Sequence, residues 1–139
     1  MINITYQLSN NLVDLVEFDY KQWLKAVIIS EGNKVGDIQY ILCDDEHLLG
    51  INKAYLNHDT FTDIITFSTT NNDEIISGEI YISVDRVSEN SKAHSVSFNT
   101  ELSRVMVHGI LHLIGYNDHS DSEKKLMRSK EDYYLHLQR

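Results

Sequence analysis

The chain has 139 residues, 42% of them hydrophobic and 24% charged, with a single cysteine and a formal net charge of -9. That is enough chain for one domain with a real core, and too apolar for a disordered segment. A lone Cys43 excludes an intrachain disulfide, no apolar run reaches membrane-span length, and the acidic balance excludes a broadly basic nucleic-acid surface. No secretory signal pattern opens the sequence, so the expected compartment is the cytoplasm, with no membrane partner.

From the start, Met1 to Gln7 alternates Ile2, Ile4 and Tyr6, which predicts a short strand with one buried face. Ser9, Asn10 and Asn11 make a turn. From about Val16 to Glu31 the spacing of Phe18, Trp23, Leu24, Val27 and Ile28 predicts an amphipathic helix stopped by Gly32. Ile38 to Cys43 is rich in strand formers. Asp44 and Asp45 are positioned to cap a helix over His47–Leu56, with Leu48, Leu49 and Ile51 inward.

Asn57 to Asp63 has loop chemistry and Ile64 to Phe67 predicts a strand. Asn71 to Ser77 is polar and is expected to be an exposed connection. Gly78 to Ser83 predicts another strand, followed by a helix from Val84 to His94. Asn99 or Thr100 begins a long apolar helix. Ser120 and Glu123 form a capping-box pattern that opens a polar C-terminal helix bearing Leu126, Met127, Tyr133, Tyr134 and Leu137. The order β-α-β-α-β-β-α-α-α predicts a single α+β domain, about four strands in one mixed sheet packed with helices. The long apolar helix is expected at its centre.

That helix carries the chemistry. His108 and His112 are four apart, so the helical pitch stacks them on one face, where two imidazoles can hold one ion. Gly115 follows three residues later and permits the turn that ends a helix. Asp118 and His119 come next. A similar spacing in one group of zinc proteases uses such a turn to bring up a third ligand. Asp118 has the right register for that ligand, while His119 is the commoner donor but lies one residue late. Three protein ligands leave a fourth position open, the arrangement of a catalytic zinc site. The protease base, a Glu after the first histidine, is replaced here by Gly109.

The stretch HGILHLIGYNDH resembles the signature HGxLHLxGYDH of the YbeY family of rRNA-processing endoribonucleases. Asn52, Tyr55, Asp59, Thr62, Asp63 and Ile64 to Phe67 resemble a second family block, and Gly78, Glu79 and Ile80 a third. The likeness runs over nearly the whole chain, 1–139. It implies a zinc-dependent endoribonuclease acting on single-stranded RNA, with one Zn2+ per chain. Its task would be maturation of the small-subunit rRNA 3′ end and ribosome quality control. Its partners would be rRNA and ribosomal particles, with no DNA expected. His108 and His112 would be metal ligands and catalytic residues.

Two departures stand out. The family's third histidine falls at Asp118, so either a carboxylate replaces the imidazole or His119 reaches in. The family's phosphate-binding arginine falls at Leu56, which leaves His58 or Lys53 to substitute. Asp59 and Asp63 are candidates to orient ligands, and Tyr116 and Phe61 to stack on bases. Two other functions fit parts of the pattern. One is a metalloprotease, which the absent Glu at Gly109 opposes. The other is a non-catalytic, zinc-stabilised ribosome-assembly factor, which Leu56 and the acidic charge favour.

Overall fold

A computed structural model of the chain describes residues 1–7, 20–56, 62–70, 72 and 74–138. The elements come in the expected order: β1 (Ile2–Gln7), α1 (Tyr20–Ser30), β2 (Lys34–Cys43), α2 (Asp45–Leu56), β3 (Ile64–Ser68), β4 (Ile75–Ser83), α3 (Val84–Ala93), α4 (Phe98–Ile114) and α5 (Asp121–His136). The strands form one mixed sheet in the order β1-β2-β4-β3. The β1–β2 and β2–β4 pairs are parallel, and β3 runs antiparallel to β4. This is the α+β architecture the sequence predicts. The first turn of the predicted helix from Val16 and the turn at Ser9–Asn11 lie outside the described residues.

Successive strand residues point to opposite faces of the sheet. Ile38, Tyr40 and Leu42 of β2 and Ile76, Ile80 and Ile82 of β4 face one way. They share the main core with Leu24 and Ile28 of α1 and Leu102, Met106 and Ile110 of α4. Cys43, Ile65, Phe67 and Tyr81 face the other way and meet Leu48 and Ile51 of α2 in a smaller cluster.

Two boundaries differ from expectation for one reason. β2 starts at Lys34 rather than Ile38, and β4 takes Ile75 to Ser77 out of the expected connection. Lys34 and Val35 pair with Ile75 and Ile76 ahead of a register irregularity at Val35/Ile38. Backbone pairing decides strand ends, and the polar side chains nearby conceal it. At α2 the two expected caps separate. Asp44 Oδ1 accepts the His47 N–H at 2.9 Å. Asp45 instead accepts from Ser83 Oγ at 2.7 Å and Arg86 Nε at 3.1 Å, tying α2 to the start of α3.

α4 is the central helix. Its N-cap is Ser97, whose side chain accepts the Thr100 N–H. Met106, Val107, Ile110 and Leu111 are fully buried. The buried Tyr40 hydroxyl needs a partner and donates to the Met106 carbonyl oxygen at 2.7 Å. A Cβ on Gly109 would lie 3.0 Å from Ile80 Cδ1 and 3.1 Å from Ile64 Cδ1. Gly109 is therefore a point of close approach between helix and sheet. Any glutamate there would bring its stem and charge into packed isoleucines, so the metalloprotease base has no place to stand.

Candidate metal centre

Arg104, His108 and His112 follow one another at four-residue intervals along the face of α4 that the sheet leaves open. The helix ends at Gly115, with φ +125°, a left-handed value that a side chain resists. Its N–H donates to the His112 carbonyl at 3.1 Å, and the Tyr116 N–H reaches the Leu111 carbonyl at 3.0 Å. This pair of bonds closes the helix in a Schellman-type turn and sends the chain back along the helix. The Ser120–Glu123 capping box, with both reciprocal hydrogen bonds present, then starts α5. Asp118 lies between these two fixed points.

The turn brings Asp118 Oδ2 to 3.4 Å from both His108 Nε2 and His112 Nε2. The two Nε2 atoms are 2.9 Å apart. Among the described residues, His108, His112 and Asp118 are the group that could hold a metal ion. His119 is exposed and stands outside that group. His58, Asp59 and Phe61 lie outside the described residues. Lys53 is exposed on α2, and Leu56 is 43% exposed at the end of the same helix.

The donor atoms suit a small cation. A tetrahedral zinc with bonds of about 2.0–2.1 Å holds its ligand atoms roughly 3.3 Å apart. Both nitrogen–oxygen edges of the triangle, at 3.4 Å, meet that spacing. The nitrogen–nitrogen edge of 2.9 Å must open by about 0.4 Å to meet it. Two imidazoles and a carboxylate are also an accepted zinc donor set.

The surroundings of the two histidines shift their pKa values in opposite directions. At His108 burial alone would lower the pKa, but the Glu131 hydrogen bond and the nearby carboxylates of Glu131, Asp118 and Asp63 outweigh it and raise the value. At His112 burial and then the charge on His108 lower the pKa. His108 is therefore the more basic member of the pair. Asp63 lines the same pocket, and burial raises its pKa, partly offset by the charge on His108.

The pocket beside the triad is also lined by Arg104, Arg128 and Glu131. Sequence reasoning missed all three. Glu131 accepts Arg104 Nη1 at 2.9 Å and lies 2.7 Å from His108 Nδ1. Its signal was present as a carboxylate on the apolar stripe of α5: the buried residues of that helix are Met127, Glu131 and Tyr134. Leu126 and Tyr133 of the same helix, and Leu137 at its C-cap, are instead about half exposed.

The comparisons with known proteins point the same way. The family described as Endoribonuclease YbeY matches residues 4–138. The chain belongs to the YbeY endoribonuclease family. The Endoribonuclease YbeY of Flavobacterium johnsoniae is 54% identical over 132 residues, which are 95% of this chain and 93% of that protein. That of Flavobacterium psychrophilum is 50% identical over 137 residues, 99% of this chain and 96% of that protein. The solution structure of TM1509 from Thermotoga maritima superimposes with a TM-score of 0.68 at 31% identity, covering 97% of this chain and 87% of the other. YbeY membership bears out the nuclease reading ahead of the protease and the non-catalytic assembly factor. Among the described residues, no helix is long and apolar enough to cross a membrane.

A polar staple holds the YbeY signature turn in place. Glu31, at the end of α1, accepts from the Tyr116 and Tyr134 hydroxyls and from Lys130 Nζ at 3.1 Å. Burial raises the Glu31 pKa, but these three donors outweigh it and leave the value lowered. A lowered folded value means the carboxylate stabilises the fold above the unfolded pKa and loses that effect as pH falls through the folded one. Glu31→Gln is therefore expected to cost about 1–3 kcal/mol at neutral pH. Urea unfolding across a pH series should show the difference shrinking to nothing in acid.

Proposed function

We propose that this chain is a zinc-dependent endoribonuclease that cuts single-stranded RNA during rRNA processing and ribosome quality control. His108, His112 and Asp118 would hold the ion. What supports this reading most is the convergence of those three donor atoms at the edge of a pocket that also contains two arginines. Bound there, zinc would acidify a water molecule and polarise a phosphodiester oxygen. Its expected setting is the ribosomal particle in the cytoplasm.

The chain's own side chains supply the rest. Arg104 is committed to Glu131 and Asp132, with distances of 2.9 and 2.7 Å. Arg128 has a side chain 59% exposed and only a loose 3.9 Å approach to Glu131. Its guanidinium is free to turn toward a phosphate in the pocket, the service that Leu56 cannot give. Asp63, kept basic by burial, is the group here suited to take a proton from an attacking hydroxyl.

Untagged protein, stripped with a chelator and tested on matched single-stranded and duplex RNA, should lose cleavage and regain it when zinc returns. Undiminished cleavage after stripping would reject the metal reading. Arg128→Ala should raise KM for RNA about tenfold while zinc content stays unchanged. An unaltered KM would remove Arg128 from the phosphate site.

A further inference from the structure

We propose that Glu131 is a positioning residue for the metal centre, fixing which nitrogen of His108 faces the ion, and that Arg104 holds Glu131 in the required orientation. The inference rests on the metal reading above and goes beyond its three donors.

The starting observation is a misplaced charge. Met127, Glu131 and Tyr134 form the stripe that seats α5 on the rest of the protein, and Glu131 is 5% exposed. A carboxylate in such a stripe is costly unless every oxygen is engaged. Both are. Oε2 faces His108 Nδ1 at 2.7 Å, and Oε1 accepts Arg104 Nη1 at 2.9 Å. Arg104 is anchored in turn by Asp132 Oδ1, 2.7 Å from Nη2.

The consequence concerns His108. An ionised carboxylate only accepts, so Nδ1 must carry the hydrogen. Nε2 is then left with its lone pair. Nε2 is the atom that faces His112 Nε2 at 2.9 Å and Asp118 Oδ2 at 3.4 Å. A carboxylate behind a ligating imidazole fixes ring orientation and tautomer and raises basicity. Arg104 and His108 lie one turn apart on α4, so one rigid helix presents both partners of Glu131.

Glu131→Gln gives the sharpest test, because it leaves one oxygen for two donors. The charged guanidinium makes the stronger claim on that oxygen. The amide NH2 then turns to His108 Nδ1, which becomes an acceptor, and the hydrogen moves to Nε2. Nitrogen-15 NMR of the metal-free variant at alkaline pH should therefore show His108 as the Nε2–H tautomer, against Nδ1–H in the wild type. Competition with a chromogenic chelator should show zinc affinity falling about 10- to 100-fold. Adding Arg104→Met lets the amide turn over, and both the Nδ1–H tautomer and most of the affinity should return. A purely structural role for Glu131 predicts no such rescue, since the second substitution removes a further ion pair.

Should Glu131→Gln fail to fold, Glu131→Asp keeps the charge but withdraws the oxygens by a methylene, and the same two readouts apply. Retention of Nδ1–H in Glu131→Gln with zinc affinity within about twofold of wild type, or an Nε2–H tautomer of His108 in the wild type, would overturn the proposal. Failure of the metal reading looks different: wild type would not bind zinc, or His108→Ala would bind it unchanged. The tautomer measurement needs no metal and would still decide the role of Glu131.

Discussion

His112→Ala is expected to remove zinc binding and RNA cleavage together while the protein stays folded. Only His108 and Asp118 remain as donors, and two protein ligands rarely retain a catalytic zinc. Loss of the ion forfeits several kcal/mol of transition-state stabilisation, roughly a thousandfold or more in rate. The fold should survive, because His112 is only part-buried and the core stripe of α4 runs through Met106, Ile110 and Leu111 on the other side. Thermal melts, zinc content and single-turnover cleavage on one preparation separate these effects. A variant that melts normally, lacks zinc and still cuts RNA would place the activity elsewhere.

The second large effect distinguishes Asp118 from His119. Asp118→Ala should lower zinc affinity at least about tenfold and cleavage with it, and His119→Ala should leave both near wild type. The reason is geometric. Asp118 Oδ2 stands 3.4 Å from both ring nitrogens, whereas the His119 side chain is exposed outside the cluster. Asp118→His is informative too, since it restores the imidazole that the family signature carries at this position and should keep the metal. The reverse ranking, with His119→Ala losing zinc, would mean that the turn after Gly115 bulges when the ion binds.

Much of the site could be read from the sequence because it is local. The pairing of His108 with His112 follows from helical pitch, the return of Asp118 from the turn at Gly115, and the start of α5 from Ser120 and Glu123. Each depends on residues a few positions apart, where backbone geometry alone fixes distance. Glu131 was not legible in this way. It reaches His108 across two helices, and only their packing shows that a charge on the α5 stripe meets an imidazole rather than solvent. Arg104 and Arg128 were hidden for the same reason.

The fold divides similarly. Strand and helix order followed from apolar periodicity. The true starts of β2 and β4 did not, since Lys34 and Ile75 are in strands only because they pair with each other. Gly109 carried a half-legible message. Its identity argued against a protease base, and its contact with Ile80 and Ile64 supplies the physical reason.

Metal content and RNA cleavage should be measured on the same untagged protein during stepwise zinc loading. Cleavage of single-stranded RNA should rise in proportion to bound zinc and level at about one ion per chain. A chain that takes up no zinc yet cleaves, or fills with zinc and never cleaves, would contradict the metal reading.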